Sequence, residues 1–250
     1  MCGRKTYLLV CVIFFTLAFF CQKVYAESFG TLATTLKKGQ WMLNLEGSGT
    51  INRDLKYEGG KVKSQSWGAY HARGYGLTDR INVFAKIGYQ DLNKIDPNPF
   101  ITYQDDQVDN LKGGVSFGVS LKGLILKEPE NPLEVAIGGS FLYTTANFSN
   151  GPKRDWREWQ LGTYVSKQFF DRFGPYVGIK YADLNSTLKF KQKEDMGQEV
   201  GGSMNVSSDK KIGIFVGANV YLNKDKDVYL NCEINFVSSL EFGAGIYYKF

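Results

Sequence analysis

The sequence predicts an all-β chain, an up-and-down antiparallel transmembrane β-barrel of about ten strands, with eight or twelve as the neighbouring counts. Three observations carry this. The 250-residue chain contains about ten segments of period-two alternation, most of them near the 9 to 11 residues a tilted strand needs to cross a bilayer. Its composition is 43% hydrophobic and 15% aromatic with 28 glycines, yet past residue 26 no apolar run is long enough for a spanning helix. Finally, one face of the segments is apolar throughout while the other carries charges of both signs, an arrangement that suits lipid outside and a polar lumen inside.

The N-terminal element reads as a secretory signal peptide over residues 1–26. Arg4 and Lys5 precede the apolar run from Leu8 to Phe20, and Val24-Tyr25-Ala26 places small residues where a signal peptidase inspects the chain. That run is too short for a membrane-spanning helix, which needs about 20 residues, so cleavage after Ala26 is expected. A lipid anchor on Cys21 is disfavoured because Phe20 stands where a small residue is required. Losing Arg4, Lys5 and Lys23 from the 30 basic residues leaves 27 against 25 acidic, a net charge of +2. No basic-aromatic module remains, which speaks against nucleic acid as a partner. Cys232 is the one cysteine left, so no intramolecular disulfide framework is expected.

Residues 27–39 are expected to form a short periplasmic segment and 40–250 the barrel. The strands are placed at 41–51, 66–76, 80–90, 110–121, 134–145, 157–169, 175–185, 211–222, 227–237 and 240–250. All six prolines fall between these segments or at a strand start, where a missing N–H costs no ladder bond. Connections near 77–80, 122–133, 170–174 and 223–227 are the shorter ones and are expected to be periplasmic. Those at 52–65, 91–109, 146–156 and 186–210 are longer, polar and expected on the opposite side. The connection at Ser238-Ser239 is tight on the long-loop side.

Leu43 and Leu45, Val83 to Ile87, Val115 to Leu121, Leu161 and Val165, Ile214 to Val220, and Val228 to Phe236 supply the apolar face in alternate positions. The opposite face is read as a lumen network of Glu46, His71, Arg73, Lys86, Lys112, Glu158, Lys180 and Glu233, with Lys211, Asn219, Asn231 and Asn235 beside it. Glu233 is placed near its centre. Gly88, Gly178 and Gly217 on that face are expected to leave some space. Tyr89, Tyr143, Trp159, Tyr181 and Tyr248 near strand ends suit aromatic girdles at headgroup level. The closing segment Leu240–Phe250 alternates Leu240, Phe242, Ala244, Ile246, Tyr248 and Phe250 with Glu241, Gly243, Gly245, Tyr247 and Lys249.

With its signal peptide, the alternation over 40–250, the Tyr75-Gly-Leu-Thr-Asp-Arg80 turn and the terminal Tyr-Tyr-Lys-Phe, the chain resembles the small outer-membrane β-barrels of Gram-negative-type bacteria. That class contains OmpA-like, OmpX-like and OmpW-like proteins, among which eight strands are commoner than ten. The resemblance implies an outer-membrane location. It also implies that Phe242, Ile246, Tyr248 and Phe250 form a C-terminal signal read by the barrel assembly machinery.

Chemistry is sparse. The single histidine, His71, lies mid-strand, away from the rim where barrel enzymes resemble one another in placing theirs. The paired-Asp and Asp-His arrangement of the ten-stranded omptin proteases has no counterpart. Asp91, Asp96, Asp105, Asp106 and Asp109 do not follow a calcium-loop spacing and read as solvated charge. No catalytic, cofactor or metal residue is assigned. The expected role is structural or surface-interacting, with outer-membrane lipid around the barrel, a lumen closed by ion pairs, and lipopolysaccharide or a host surface as contacts for the loops. A narrow porin-like channel is the first alternative, and a lipid-modifying enzyme or protease the second.

Overall fold

The computed structural model describes residues 35–58, 60–96, 113–127, 133–147, 153–169, 172–193, 199–236 and 239–250. Eleven strands are present: β1 (Trp41–Tyr57), β2 (Gly60–Gly76), β3 (Ile81–Asp96), β4 (Gly114–Lys127), β5 (Leu133–Asn147), β6 (Lys153–Lys167), β7 (Phe173–Lys193), β8 (Glu199–Ser208), β9 (Ile212–Tyr221), β10 (Val228–Phe236) and β11 (Ser239–Lys249). All pairings are antiparallel. Ten strands form a closed ring, because β11 pairs with β1 from Met42↔Lys249 to Arg53↔Ser239, and β8 stands outside that ring. Closure leaves the ring no free edge, the condition for a sheet to sit in lipid.

The ring is inside-out. Leu45, Ile87, Val119, Leu161, Ile179 and Ile246 all point outward and are exposed, Val119 to 60%. Asn44, Glu46, Asn82, Ser116, Glu158, Lys180, Asn219, Asn231 and Glu233 point inward and are buried. Trp41, Tyr75, Tyr248 and Phe250 border the apolar band at the end that carries the short turns. Trp67, Tyr89, Trp159 and Tyr181 border it at the other, loop end.

Toward the loop end the chain behaves differently from the expectation of long polar loops. Residues expected in the connections 52–65 and 186–210 are strand: β1 runs on to Tyr57, β2 starts at Gly60, and β7 extends to Lys193 with β8 returning beside it. Here the faces invert. A register shift between Thr50 and Arg53 changes which positions of β1 point inward. Beyond it an apolar cluster fills the interior, with Leu55, Val62, Trp156, Leu184 and Val206 packed together beside the buried Ser64, Ser186 and Ser208, while Lys56, Lys61 and Lys63 point out. Such a segment has the pattern of an ordinary soluble barrel, and each fully buried Leu or Val in it is worth about 1.5–3 kcal/mol.

β8 also explains the tight Ser238-Ser239 connection. β7 pairs with β9 from Phe173 to Tyr181 and with β8 from Asn185 to Lys193. β1 pairs with β8 at Leu55 and Lys56, just past its last bond to β11. Over the tip of the β10–β11 hairpin, therefore, β8 joins β7 to β1 and completes the wall, so that hairpin needs no long loop. The exposed Lys61–Asp209 ion pair, 2.7 Å, fastens the β8–β9 corner to β2.

At the turn end residues 35–39, the described part of the expected periplasmic segment, fold back onto the mouth. Gly39, at φ +80°, reverses the chain ahead of β1 and its N–H donates to the Gly76 carbonyl. Lys38 N–H donates to Asp79 Oδ1, and Leu36 exchanges two hydrogen bonds with the Asn82 side chain. Leu36 is consequently 0% exposed, packed with Met42, Phe84, Tyr229 and Tyr247.

Candidate functional site

The interior of the ring holds the polar chemistry of the molecule. Its central feature is a four-membered charge cluster below the Trp156 layer. Arg53 makes a bidentate pair with Glu158, at 2.9 and 3.1 Å, and reaches Glu241 Oε1 at 2.6 Å. Lys180 Nζ meets the other oxygen of Glu241 at 2.6 Å, and Asn235 Nδ2 donates to that oxygen at 2.8 Å. Gln160 donates to Glu158 and Ser239 to Glu241. Two cations and two anions make the cluster neutral, and the amide and hydroxyl donors occupy remaining lone pairs, the condition under which buried charge is tolerated.

A second group lies nearer the turn end. Lys86 pairs with Glu46 at 2.8 Å, and Glu46 also accepts from Asn44 Nδ2 at 2.6 Å and from the Tyr247 hydroxyl at 2.7 Å. Between the two groups, Glu233 accepts from the Tyr176 hydroxyl, which itself accepts from Asn231; Asn231 also donates to Asn219. Close to the mouth, Lys122 donates to Thr35, and Thr35 to Glu134.

Aromatic rings fill the remaining volume. Tyr70, Phe84, Tyr164, Tyr176, Phe215, Tyr229 and Tyr247 are all buried and point inward. The inward glycines do not leave space, as the sequence suggested; they receive these rings. A Cβ on Gly88 would lie 2.4 Å from the Tyr70 ring, one on Gly178 2.4 Å from the Phe215 ring, and one on Gly217 2.3 Å from the Tyr176 ring.

The structure points Glu46, Lys86, Glu158, Lys180 and Glu233 into the ring, but it does not bring the whole set together. His71 and Arg73 are corrections. They stand opposite Leu45 and Leu43 on β1, on the outward face, and the inward positions of β2 are Ser66, Gly68, Tyr70, Ala72 and Gly74. Polarity alone misassigned them: on this strand the charged residues lie on the lipid side and small or aromatic ones inside. Lys211 is a second correction, because it precedes β9 and pairs at the rim with Asp183, 2.8 Å away. Glu233 is not the hub; Glu241 is. Glu241 was legible as one of the alternate residues of the closing strand, whereas Arg53 fell in a presumed loop. Phe242, Ile246, Tyr248 and Phe250 lie on the outward face of β11 or at its end, and the Phe250 backbone exchanges two hydrogen bonds with Trp41. Ala26 and Lys112 lie outside the described residues, as do Asp105, Asp106 and Asp109. Asp91 accepts from the Trp67 indole at 2.9 Å. Among the described residues no three His, Cys, Asp or Glu side chains converge in a way that would hold a metal.

This architecture, an inside-out closed ring with aromatic girdles and a polar interior, defines a transmembrane β-barrel of the outer-membrane type. The sequence matches no protein-family model and no curated protein. Solved structures show a likeness, and the first named below shares the fold. The outer-membrane protease OmpT from Escherichia coli is 13% identical with a TM-score of 0.51, covering 87% of this chain and 100% of that one. The outer-membrane protein OprG from Pseudomonas aeruginosa is 12% identical, TM-score 0.44, over 86% and 98%. The attachment invasion locus protein Ail of Yersinia pestis is 10% identical, TM-score 0.37, over 85% and 99%.

Proposed function

We propose that this chain is an integral protein of the bacterial outer membrane, exported through a cleaved signal peptide, whose barrel is a sealed scaffold with a structural or surface-interaction role. One observation carries the reading. Three layers of side chains cross the interior, the Leu36 layer at the turn end, the neutral Arg53–Glu158–Glu241–Lys180 cluster, and the Trp156 layer at the loop end. A ring of ten strands encloses little more than its own side chains, and here those side chains include seven large aromatic rings. The narrow-channel alternative would need this packing to open.

The enzyme alternatives are disfavoured by position. The only histidine of the chain faces outward from mid-strand, remote from the loop end where a substrate outside the cell would arrive. In this reading the short turns are periplasmic, the β11 stripe ending at Phe250 is recognised by the barrel assembly machinery, and the loop end meets lipopolysaccharide or a host surface. Planar-bilayer recording on the refolded protein tests the scaffold reading. A sealed barrel gives no steady conductance steps, whereas stable ohmic steps in the unmodified protein would replace the scaffold by a channel.

A further inference from the structure

Between the two aromatic girdles, the outward positions of the ring strands are almost uniformly Val, Ile, Leu, Phe, Ala or Gly, relieved by Thr163 and Cys232. β2 departs from this. Its outward residues, read from the loop-end girdle to the turn-end girdle, are Trp67, Ala69, His71, Arg73 and Tyr75. An arginine facing hydrocarbon is unfavourable unless its guanidinium finds a polar partner, and no carboxylate among the described residues bonds Arg73.

The location of Arg73 supplies the partner's chemistry. Tyr75, two residues nearer the turn end, and Trp41 beside it form a tilted ring pair at 4.7 Å, which marks the headgroup level of that leaflet. Two strand residues span about 6.6 Å, and a long basic side chain at that depth reaches back to the interface. Its neighbours across the sheet are Leu43 and Ala85, neither of which competes for the guanidinium. His71 lies one step deeper. Its Nδ1 is 2.9 Å from the Asn44 carbonyl, which can only accept, so Nδ1–H is consumed and Nε2 is left as an acceptor, which leaves Arg73 as the phosphate donor on this face.

We propose that Arg73, with the Trp41–Tyr75 pair below it, forms a docking site on the outer wall of the barrel for the phosphate of an anionic glycerophospholipid of the periplasmic leaflet. The planar guanidinium fork matches two phosphate oxygens, and charge-assisted bonds of this kind are strong where water is scarce. The acyl chains then lie along the apolar band above. The site rests on the barrel spanning the membrane with its short turns periplasmic, since that orientation decides which leaflet Arg73 meets.

The test is native mass spectrometry of the refolded full-length mature protein in detergent with phosphatidylglycerol, phosphatidylcholine or bisphosphorylated lipid A. Insertion into phosphatidylcholine vesicles is measured in parallel. The unmodified protein should retain phosphatidylglycerol over phosphatidylcholine. Arg73→Gln should lower that retention about tenfold, on the scale of one charge-assisted bidentate contact, and Arg73→Lys should lower it by a smaller factor. Arg80→Gln, in the exposed turn, should leave it unchanged. Equal losses in Arg73→Gln and Arg80→Gln, no preference for phosphatidylglycerol, or Arg73-dependent retention of lipid A instead would each overturn the site. Insertion into vesicles without lipid preference fails the site alone, whereas failure to insert at all fails the membrane reading beneath it.

Discussion

Removing Glu241 should leave the lumen cluster with a net positive charge. As built, Arg53 and Lys180 balance Glu158 and Glu241, with the Arg53 and Lys180 contacts to Glu241 both at 2.6 Å and all four side chains nearly inaccessible. Glu241→Ala takes away the one carboxylate that touches both cations. Arg53 keeps Glu158, but Lys180 is left buried without its ion-pair partner. Breaking a buried pair in this way costs about 3–5 kcal/mol, most of it the uncompensated charge rather than the lost attraction. The corollary separates electrostatics from packing. In Glu241→Ala/Lys180→Met the cluster is again neutral, and the double variant should recover about 0.5–3 kcal/mol relative to Glu241→Ala, the range of coupling between residues in one network. Urea unfolding in detergent micelles, followed by the shift in electrophoretic mobility between folded and unfolded barrel, measures both. A loss below about 1 kcal/mol for Glu241→Ala, or a double variant less stable than the single, would refute the assignment of Glu241 as hub.

Other consequences are equally direct. Val216→Arg, on the lipid face of β9, should destabilise the inserted barrel by about 2–4 kcal/mol, whereas Asn205→Arg, exposed on β8 beyond the girdle, should change it by less than about 0.5 kcal/mol; the same unfolding assay compares them. Gly178→Ala should cost about 1–3 kcal/mol because its Cβ collides with the Phe215 ring and the Thr163 carbonyl, while Gly123→Ala, whose nearest neighbour would be 3.7 Å away, should be nearly neutral. The Lys61–Asp209 pair depresses the Asp209 carboxyl and raises the Lys61 ammonium, each chiefly through their mutual hydrogen bond. Its contribution is present above the ordinary carboxylate value and lost as pH falls through the lowered one. At the basic end it is present below the ordinary lysine value and lost as pH rises through the raised one. The stability difference between the unmodified protein and Asp209→Asn should therefore be small and flat across neutral pH.

The ring was readable because lipid imposes strict alternation: each of β1 to β7 and β9 to β11 overlaps most of the segment its period-two pattern marked, and β1, β2, β5 and β7 contain theirs entirely. The pattern stopped being informative where the environment changed. Past Thr50 the solvent is water, the apolar side chains Leu55 and Val62 turn inward, and polar outward positions such as Lys56 and Lys61 imitate a loop. Arg53 and the whole of β8 were hidden for that reason. On β2 the rule that charge points inward failed at His71 and Arg73, since only the pairing with Leu45 and Leu43 fixes which face they occupy. Glycine was misleading too. Gly88 and Gly217 suggested free volume, but each lies beside an inward tyrosine on the adjacent strand, a relation between strands that one strand's sequence cannot reveal.

Brominated-lipid quenching of single-tryptophan variants tests the inside-out, sealed barrel most directly. Trp156 and Trp159 are three residues apart on β6 and face opposite ways, 1% and 59% exposed. Reconstituted in bilayers of bromine-labelled lipid, the variant retaining Trp159 alone should be strongly quenched. The variant retaining Trp156 alone should be quenched neither by the lipid nor by aqueous iodide. Lipid quenching of Trp156, or iodide access to it with Trp159 shielded from lipid, would contradict the account.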